Sequence, residues 1–361
     1  MEIMKASRQW STRPDDERFI TLEALHNATV EYERELRERD GVEVSTLRTE
    51  SANGDVVLVG RGNVPSRLTH WAFGQLAQRI GAPASYLRDL PADLASQNIN
   101  HGLAKRAALS GEQGALSLLV HVSDSLTVNA LTSSKYERIW NREVTERLLG
   151  LKSDGWDVAT PDLAFGAGFD DGKRPLYASD HDIFAFVCSQ NTVRESGNPD
   201  GLKRGVIVEN STVGASKLRL TRFLYRGMCG NHIIWNASEV TELALTHRGN
   251  IRDRMHAWDV EIKRYMNESA TEDENRIESA KRKLIAATKE DVLDALFGKR
   301  IPALTRKALG ASYDAVHPSQ DGDARSVWGI VQGITRYSQT LPYGDVRTDI
   351  DRAAGQLLNA F

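Results

Sequence analysis

Cations one residue apart on a strand, with aromatic rings continuing the same face, suit one chemistry: ammonium and guanidinium groups meet phosphates, and rings stack on bases. The stretch from Lys203 to Trp235 offers that set. Between Lys203 and Arg226 it holds six basic residues (Lys203, Arg204, Lys217, Arg219, Arg222 and Arg226) and one acid, Glu209. The whole chain has a formal net charge of -3, so this local excess asks for an explanation. In extended geometry alternate side chains share a face. Lys217 and Arg219 then point one way, Phe223 and Tyr225 continue that face, and Arg222 and Arg226 fall on the other. Leu218 and Leu220 point into the core. These residues are the candidate nucleic-acid contact, with Lys203 and Arg204 adding charge. The bland alternative is a strand whose cations pair with acids elsewhere in the chain.

Other residue sets suit other chemistry. Asp180-His181-Asp182 leads into a strand, and two carboxylates on one strand face can hold a divalent cation, with Asp170 and Asp171 nearby in sequence. A polar turn that starts a strand explains the same residues without a metal, and is favoured. Asn210-Ser211-Thr212 with Val213-Gly214-Ala215-Ser216 has the backbone for a phosphate-holding loop but lacks the lysine and spacing of a P-loop. Cys229 and His232 sit three apart across a Gly-Asn turn, a poor placement for nucleophile and base. The pair of helices in GQLAQRIGAPASYLRDL has the outline of a helix-turn-helix. Its second helix would show Ala84, Ser85, Arg88 and Asp89, a poor set for phosphates, and core packing explains the pattern.

The elements that must hold these residues read as α+β: a mostly antiparallel sheet with packed helices and a helical C-terminal region. Asn53-Gly54 predicts a type I′ hairpin. Thr69 caps a helix whose Phe73, Leu76, Ala77 and Ile80 share a face, ended by Gly81. ALSLLVHV and LTVNALT read as a second hairpin, and SKYERIWNREVTERLLG as a helix. HDIFAFVC, RGVIVEN, SKLRLTRFLY and NHIIW are strands set between loops such as RESGNPDG. Val240, Ala244, His247, Ile251, Met255, Trp258, Ile262 and Tyr265 form one stripe of a long helix with Gly249 as its weak point, suited to packing within the chain or to a homo-oligomer. Thr288 and Asp291 resemble a capping box, with Gly298 as the stop. The 361 residues divide into 1–65, a polar helix and hairpin; 66–235, the α+β core; and 236–361, helical.

Hydrophobic residues at 40% and charged residues at 26% suit a globular protein able to bury a core. No apolar run spans a bilayer and the start lacks an apolar signal core, so a cytosolic protein with no membrane partner is expected. Cys188 and Cys229, the only cysteines, allow no disulfide framework or four-cysteine zinc site within one chain. No cofactor is called for.

RQWSTRPDDERF, FGQLAQRIGAPASYL and ENSTVGASKLRLTRFLYRGMCGNHIIW together resemble the phage- and plasmid-borne proteins grouped as domain of unknown function 932. The likeness runs from about Arg8 to the helix after Asn236. It implies a mobile genetic element in a bacterial cytoplasm, and so a task near DNA replication or recombination. The expectation is a non-enzymatic DNA-binding protein, acting on single strands through the eight residues named above. The alternatives are a metal-dependent nuclease or nucleotide-processing enzyme using Asp180, His181 and Asp182, and an interaction protein binding a host factor or a small signalling anion.

Overall fold

The computed structural model describes residues 14–108, 115–123, 125–158, 176–195, 198–226, 231–233, 247, 249–267, 271–341 and 344–361. Among them the chain is α+β, with two sheets and twelve α-helices. After a short strand, β1 (Arg18–Phe19), helix α1 (Leu22–Arg34) is started by Thr21, whose hydroxyl accepts from the Ala24 amide.

The first sheet has six strands: β2 (Leu36–Glu43), β3 (Arg48–Ala52), β4 (Asp55–Val59), β5 (Pro65–Leu68), β6 (Ala115–Val122) and β7 (Leu126–Ser133). Their order is β2-β6-β7-β5-β4-β3, and only β5 and β7 run parallel. Asn53 and Gly54 both take positive φ, 53° and 83°, at the β3–β4 turn. This is the type I′ geometry that the Asn-Gly pair predicts. The expected division at residue 65 runs through this sheet, because β4 and β7 both pair with β5. Helices α2 (His70–Ile80), α3 (Ala84–Asp89) and α4 (Ala92–Ala107) close one face. Leu76, Ala77, Ile99 and Leu103 pack there on Leu58, Leu116 and Val128. Thr69 caps α2 through the Ala72 amide, and Gly81 (φ 77°) stops it. Burying each such leucine contributes roughly 1.5–3 kcal/mol.

Helix α5 (Asn141–Gly150) leads to the second sheet, of seven strands: β1, β8 (Trp156–Val158), β9 (Leu176–Ala178), β10 (Asp182–Glu195), β11 (Asn198–Ser211), β12 (Arg219–Arg226) and β13 (Asn231–Ile233). Its path is β1-β9-β10-β11-β12-β13, antiparallel throughout, with β8 also against β10. RESGNPDG is not simply a loop. Glu195 faces Asn198, so β10 and β11 run on into one long hairpin.

The expected helix over 134–150 starts only at Asn141. The residues before it are held by tertiary bonds: the Asn210 amide donates to the Ile139 carbonyl at 2.9 Å, and Arg138 is tied to Glu38. The long C-terminal stripe is also shorter than expected. Helix α6 (Ile251–Asn267) begins after Gly249, whose φ of 64° breaks the run; residues 240 and 244 lie outside the described residues. Ile251, Met255, Trp258, Ile262 and Tyr265 pack on the seven-stranded sheet with α1 and α5, so this stripe is satisfied within the chain.

Helices α7 (Thr271–Arg282), α8 (Lys289–Gly298), α9 (Arg306–Asp314), α10 (Pro318–Asp321), α11 (Val327–Ser338) and α12 (Gly344–Ala360) complete the fold. They build their own core around Trp328, which also takes in Val193 and Leu202 of the long hairpin. Thr288 caps α8 through the Asp291 amide, as predicted, and α8 ends at Gly298.

Candidate functional site

The basic strand is placed by its register. On β12, Arg219 stands opposite Glu209, Arg222 opposite Val206 and Tyr225 opposite Lys203. Arg219 meets Glu209 at 3.1 Å, a cross-strand ion pair with both side chains 17% exposed. Arg222 is on the other face, as the alternation predicts. It reaches Glu261 of α6 at 3.3 Å and lies 4.3 Å from the Tyr265 ring centre. Arg204 shares that face, bonds Asp273 of α7 at 2.9 and 2.6 Å and stands 5.6 Å from the same ring. Lys203 is buried and donates to the Gln190 carbonyl at 2.7 Å. Lys217 is exposed. Phe223, Tyr225 and Arg226 lie on β12, but their side chains fall outside the described residues.

The expectation of an open basic face is therefore corrected for four of the five cations whose side chains are described. Arg204, Arg219 and Arg222 bind the fold's own carboxylates, and Lys203 its own backbone. Two of those acids, Glu261 and Asp273, come from α6 and α7, far along the chain, so a local count of charge missed them. Buried charges persist where they are paired and hydrogen-bonded.

The Asn210–Val213 loop is also turned inward, with all four residues fully buried. The Arg138 guanidinium donates to the Thr212 carbonyl, and Gln75 donates to the Val213 carbonyl at 2.6 Å. Gln75 also accepts from the Leu131 amide at 2.8 Å. Val213 joins Leu36, Leu119 and Ala130 in a small apolar cluster against Trp71 and Trp140. This loop is a rivet between the two sheets, and its backbone is committed to holding them.

The Ser179–Asp182 turn is tied together largely by its own side chains. Ser179 Oγ lies 2.9 Å from His181 Nδ1 and donates to Asp182 at 2.7 Å. Asp180 meets the same His181 Nδ1 at 2.7 Å. A hydrolytic relay needs serine and carboxylate hydrogen-bonded to opposite ring nitrogens; here Ser179 and Asp180 both crowd Nδ1, and Asp182 stands 3.8 Å from Nε2, beyond hydrogen-bonding distance. No group of three histidine, cysteine or acidic residues able to hold a metal exists among the described residues. Asp170, Asp171 and Cys229 lie outside them. Burial pushes the Cys188 thiol up to about 12, which keeps it an inert thiol. Helix α3 has six residues, with Leu87 in the core and Arg88 donating to the His70 carbonyl at 2.9 Å, so the 74–90 pair packs as core.

A cleft of about 420 Å³ opens where α1, β6 and β7, and the Ser179–Asp182 turn meet. Glu31, Tyr32, Arg34 and Glu35 line it from the last turns of α1 and the residue after, and His121, Thr127 and Asp180 from the strands and the turn. At its floor is Asn129, 3% exposed. The Asn129 Nδ2 donates toward Asp180 at 3.5 Å, and its Oδ1 is buried without a hydrogen-bond partner among the described residues. A buried acceptor left unpaired costs roughly 1–3 kcal/mol. An asparagine in the middle of the apolar strand LTVNALT was the available signal, and hairpin periodicity alone passed over it.

Two further titratable groups, Glu33 and His247, are buried. Glu33 of α1 caps α5 from outside it: its carboxylate accepts from the Asn141 amide at 2.7 Å and the Arg142 amide at 3.4 Å. Burial nevertheless raises its pKa to about 7, against the pull of those amides and of Arg142. Between the unfolded value near 4.5 and about 7, the folded chain keeps a proton that the unfolded chain has lost. Stability from Glu33 is thus complete below that window and falls as pH rises through it, by about 3 kcal/mol. Urea unfolding from pH 5 to 7.5 is expected to show this slope, flattened in Glu33→Gln. His247 stacks on Tyr136, centroids 4.8 Å apart, and burial lowers its pKa to about 4.

A family model, that of the domain of unknown function 932, matches residues 130–354. The chain belongs to this family. The family segment contains the basic strand, the buried loop, the Ser179–Asp182 turn and the C-terminal helices. Of the cleft lining, only Asp180 lies inside it. No curated protein and no solved structure matches the chain. No helix among the described residues is long and apolar enough to cross a membrane.

Proposed function

We propose that this family member is a non-enzymatic binding protein that takes a small polar guest in the cleft between α1, the β6–β7 pair and the Ser179–Asp182 turn. One observation carries the reading: the cleft gathers Tyr32, His121, Thr127 and Asp180 from three separate parts of the fold, with Asn129 buried beneath them. A pocket of a few hundred Å³ with a small number of convergent polar groups is the usual form of a small-ligand site. The setting is the cytoplasm of a bacterium carrying a mobile element, which the resemblance implies.

The test is a thermal-shift and calorimetric panel of nucleosides, nucleotides, diamines, guanidines and phosphate on the full chain. At least one compound is expected to raise the melting temperature of the wild type, and Asn129→Ala to abolish the shift. Asp180→Ala, at a side chain that is 55% exposed, keeps the test decisive if the first variant folds poorly. A wild type that responds to nothing, or variants that respond equally, would remove the reading.

Single-stranded DNA is the second reading, favoured by the exposed Lys217 beside the exposed Gly214 and Ala215. With the neighbouring arginines paired, it predicts a weak and strongly salt-dependent complex. Equal retention of an oligonucleotide by wild type and Lys217→Ala at low salt removes it.

A further inference from the structure

Strand β2 carries two cations onto the apolar face of its sheet. Its register with β6 sets Arg37 beside Val120 and Arg39 beside Leu118, and residues paired across two strands share a face. Leu118 and Val120 are buried there with Leu58 and Val128. Glu38, between the two arginines, turns to the other face and meets Arg138. Arg37 bends back to the Arg34 and Leu36 carbonyls, both at 2.8 Å. Arg39 is exposed, and among the described residues no carboxylate or carbonyl binds its guanidinium.

Arg39 lines a second cavity, of about 410 Å³. The floor is aliphatic, with Leu58, Leu118, Val120 and Val128. One wall is the loop between β4 and β5, where Asn63 takes a φ of 52° and accepts from Arg48 at 3.0 Å. That loop brings Val64 to the mouth with 52% of its surface in water. Glu43 is the one carboxylate in the lining, and it is already bonded to Arg61 at 3.0 Å. What the fold leaves unmatched is one guanidinium and an uncovered apolar surface. The next residues along β6 and β7, His121 and Thr127, line the other cleft on the opposite face. The two sites share no residue, and the reading of one stands or falls without the other.

An aliphatic floor with a lone cation at the rim selects a guest of the same build, apolar with a negative end. A free phosphate would leave the floor wet, and a cationic amphiphile would face Arg39. We propose that this cavity takes a small amphiphile with an aliphatic body and a carboxylate head. The body lies against Leu118, Val120 and Val128, and the head pairs with Arg39 as a charged hydrogen bond.

The experiment is calorimetric titration of the full chain with octanoate, alongside octylamine and 1-octanol as cationic and neutral probes of equal chain length. Octanoate is expected to bind more tightly than either. Its affinity should exceed that of hexanoate by about fourfold for each added methylene. Arg39→Ala should weaken octanoate roughly tenfold, the loss of one charged hydrogen bond, and leave 1-octanol unchanged. Val64→Asp should weaken octanoate as well, by setting a like charge at the mouth. Both positions are exposed, so neither variant should shift the melting temperature. Octylamine or 1-octanol binding as tightly as octanoate would overturn the carboxylate head, as would an Arg39→Ala chain that holds octanoate like the wild type. Failure of all three probes would overturn the site and leave Arg39 as a charge that guards the sheet edge.

Discussion

Gly333→Ala is expected to lower the melting temperature by roughly 4 °C, although it places a better helix former inside a helix. On an exposed surface the change would gain about 1 kcal/mol. Here α9 crosses α11 so closely that a methyl on residue 333 would collide with the Ser312 carbonyl oxygen and with Val316 Cγ2. Ser312 is fully buried and its hydroxyl is tied to the Ala308 carbonyl at 2.7 Å, so the α9 backbone cannot step aside cheaply. Overpacking against backbone costs roughly 1–3 kcal/mol or more and outweighs the propensity gain. The control is Gly310→Ala in α9, where a methyl meets nothing within 4 Å. That variant should match or exceed the wild type in a calorimetric melt. Equal melting of all three would show that the crossing is looser than described.

Asp273→Ala is expected to cost roughly 3–5 kcal/mol in chemical denaturation, because it strips a carboxylate from the nearly buried Arg204. The Arg204 side chain is 9% exposed and Asp273 12%. Desolvating the two ions uses up much of their attraction, so the pair adds little compared with an apolar pair of similar volume. Removing one partner alone is what is severe. The double replacement Arg204→Leu with Asp273→Leu should therefore be milder than Asp273→Ala. The same variant also probes the seam between the seven-stranded sheet and α7. Arg204 and Arg222 sit by the Tyr265 ring, which is 2% exposed, and fasten β11 and β12 to α6 and α7.

Local rules were readable wherever the physics is local. Asn53-Gly54, the Thr69 and Thr288 caps, the β6–β7 hairpin and the alternation of Arg219 against Arg222 all follow from neighbours within a few residues. The family resemblance agrees with the match over residues 130–354, which holds the last of the three motifs; the two earlier ones lie before it. The misreadings share one cause, which is contact between distant segments. Residues 134–140 have a helical pattern but are held by Glu38, Asn210 and His247. His247 was placed on a helix stripe, yet it stacks on Tyr136 outside any helix. The basic strand looked unneutralised because Glu261 and Asp273 lie 39 and 69 residues from their arginines. The cleft was invisible for the same reason. Its lining runs from Glu31 to Asp180, and no window of sequence holds both.

The span of Arg138's bonds sets an order of assembly. Its partner Glu38 is 100 residues away, and Thr212 is 74. Chain closure over such distances costs entropy before any contact rewards it, whereas a hairpin such as β10–β11 can zip within microseconds. The hairpins within each sheet, β3–β4 and β6–β7 as well as β10–β11, can therefore form before Arg138 joins the two sheets. The cavity floored by Asn129 comes into being only at that joining, so a kinetically trapped chain can hold most of its secondary structure and still have no place for a guest.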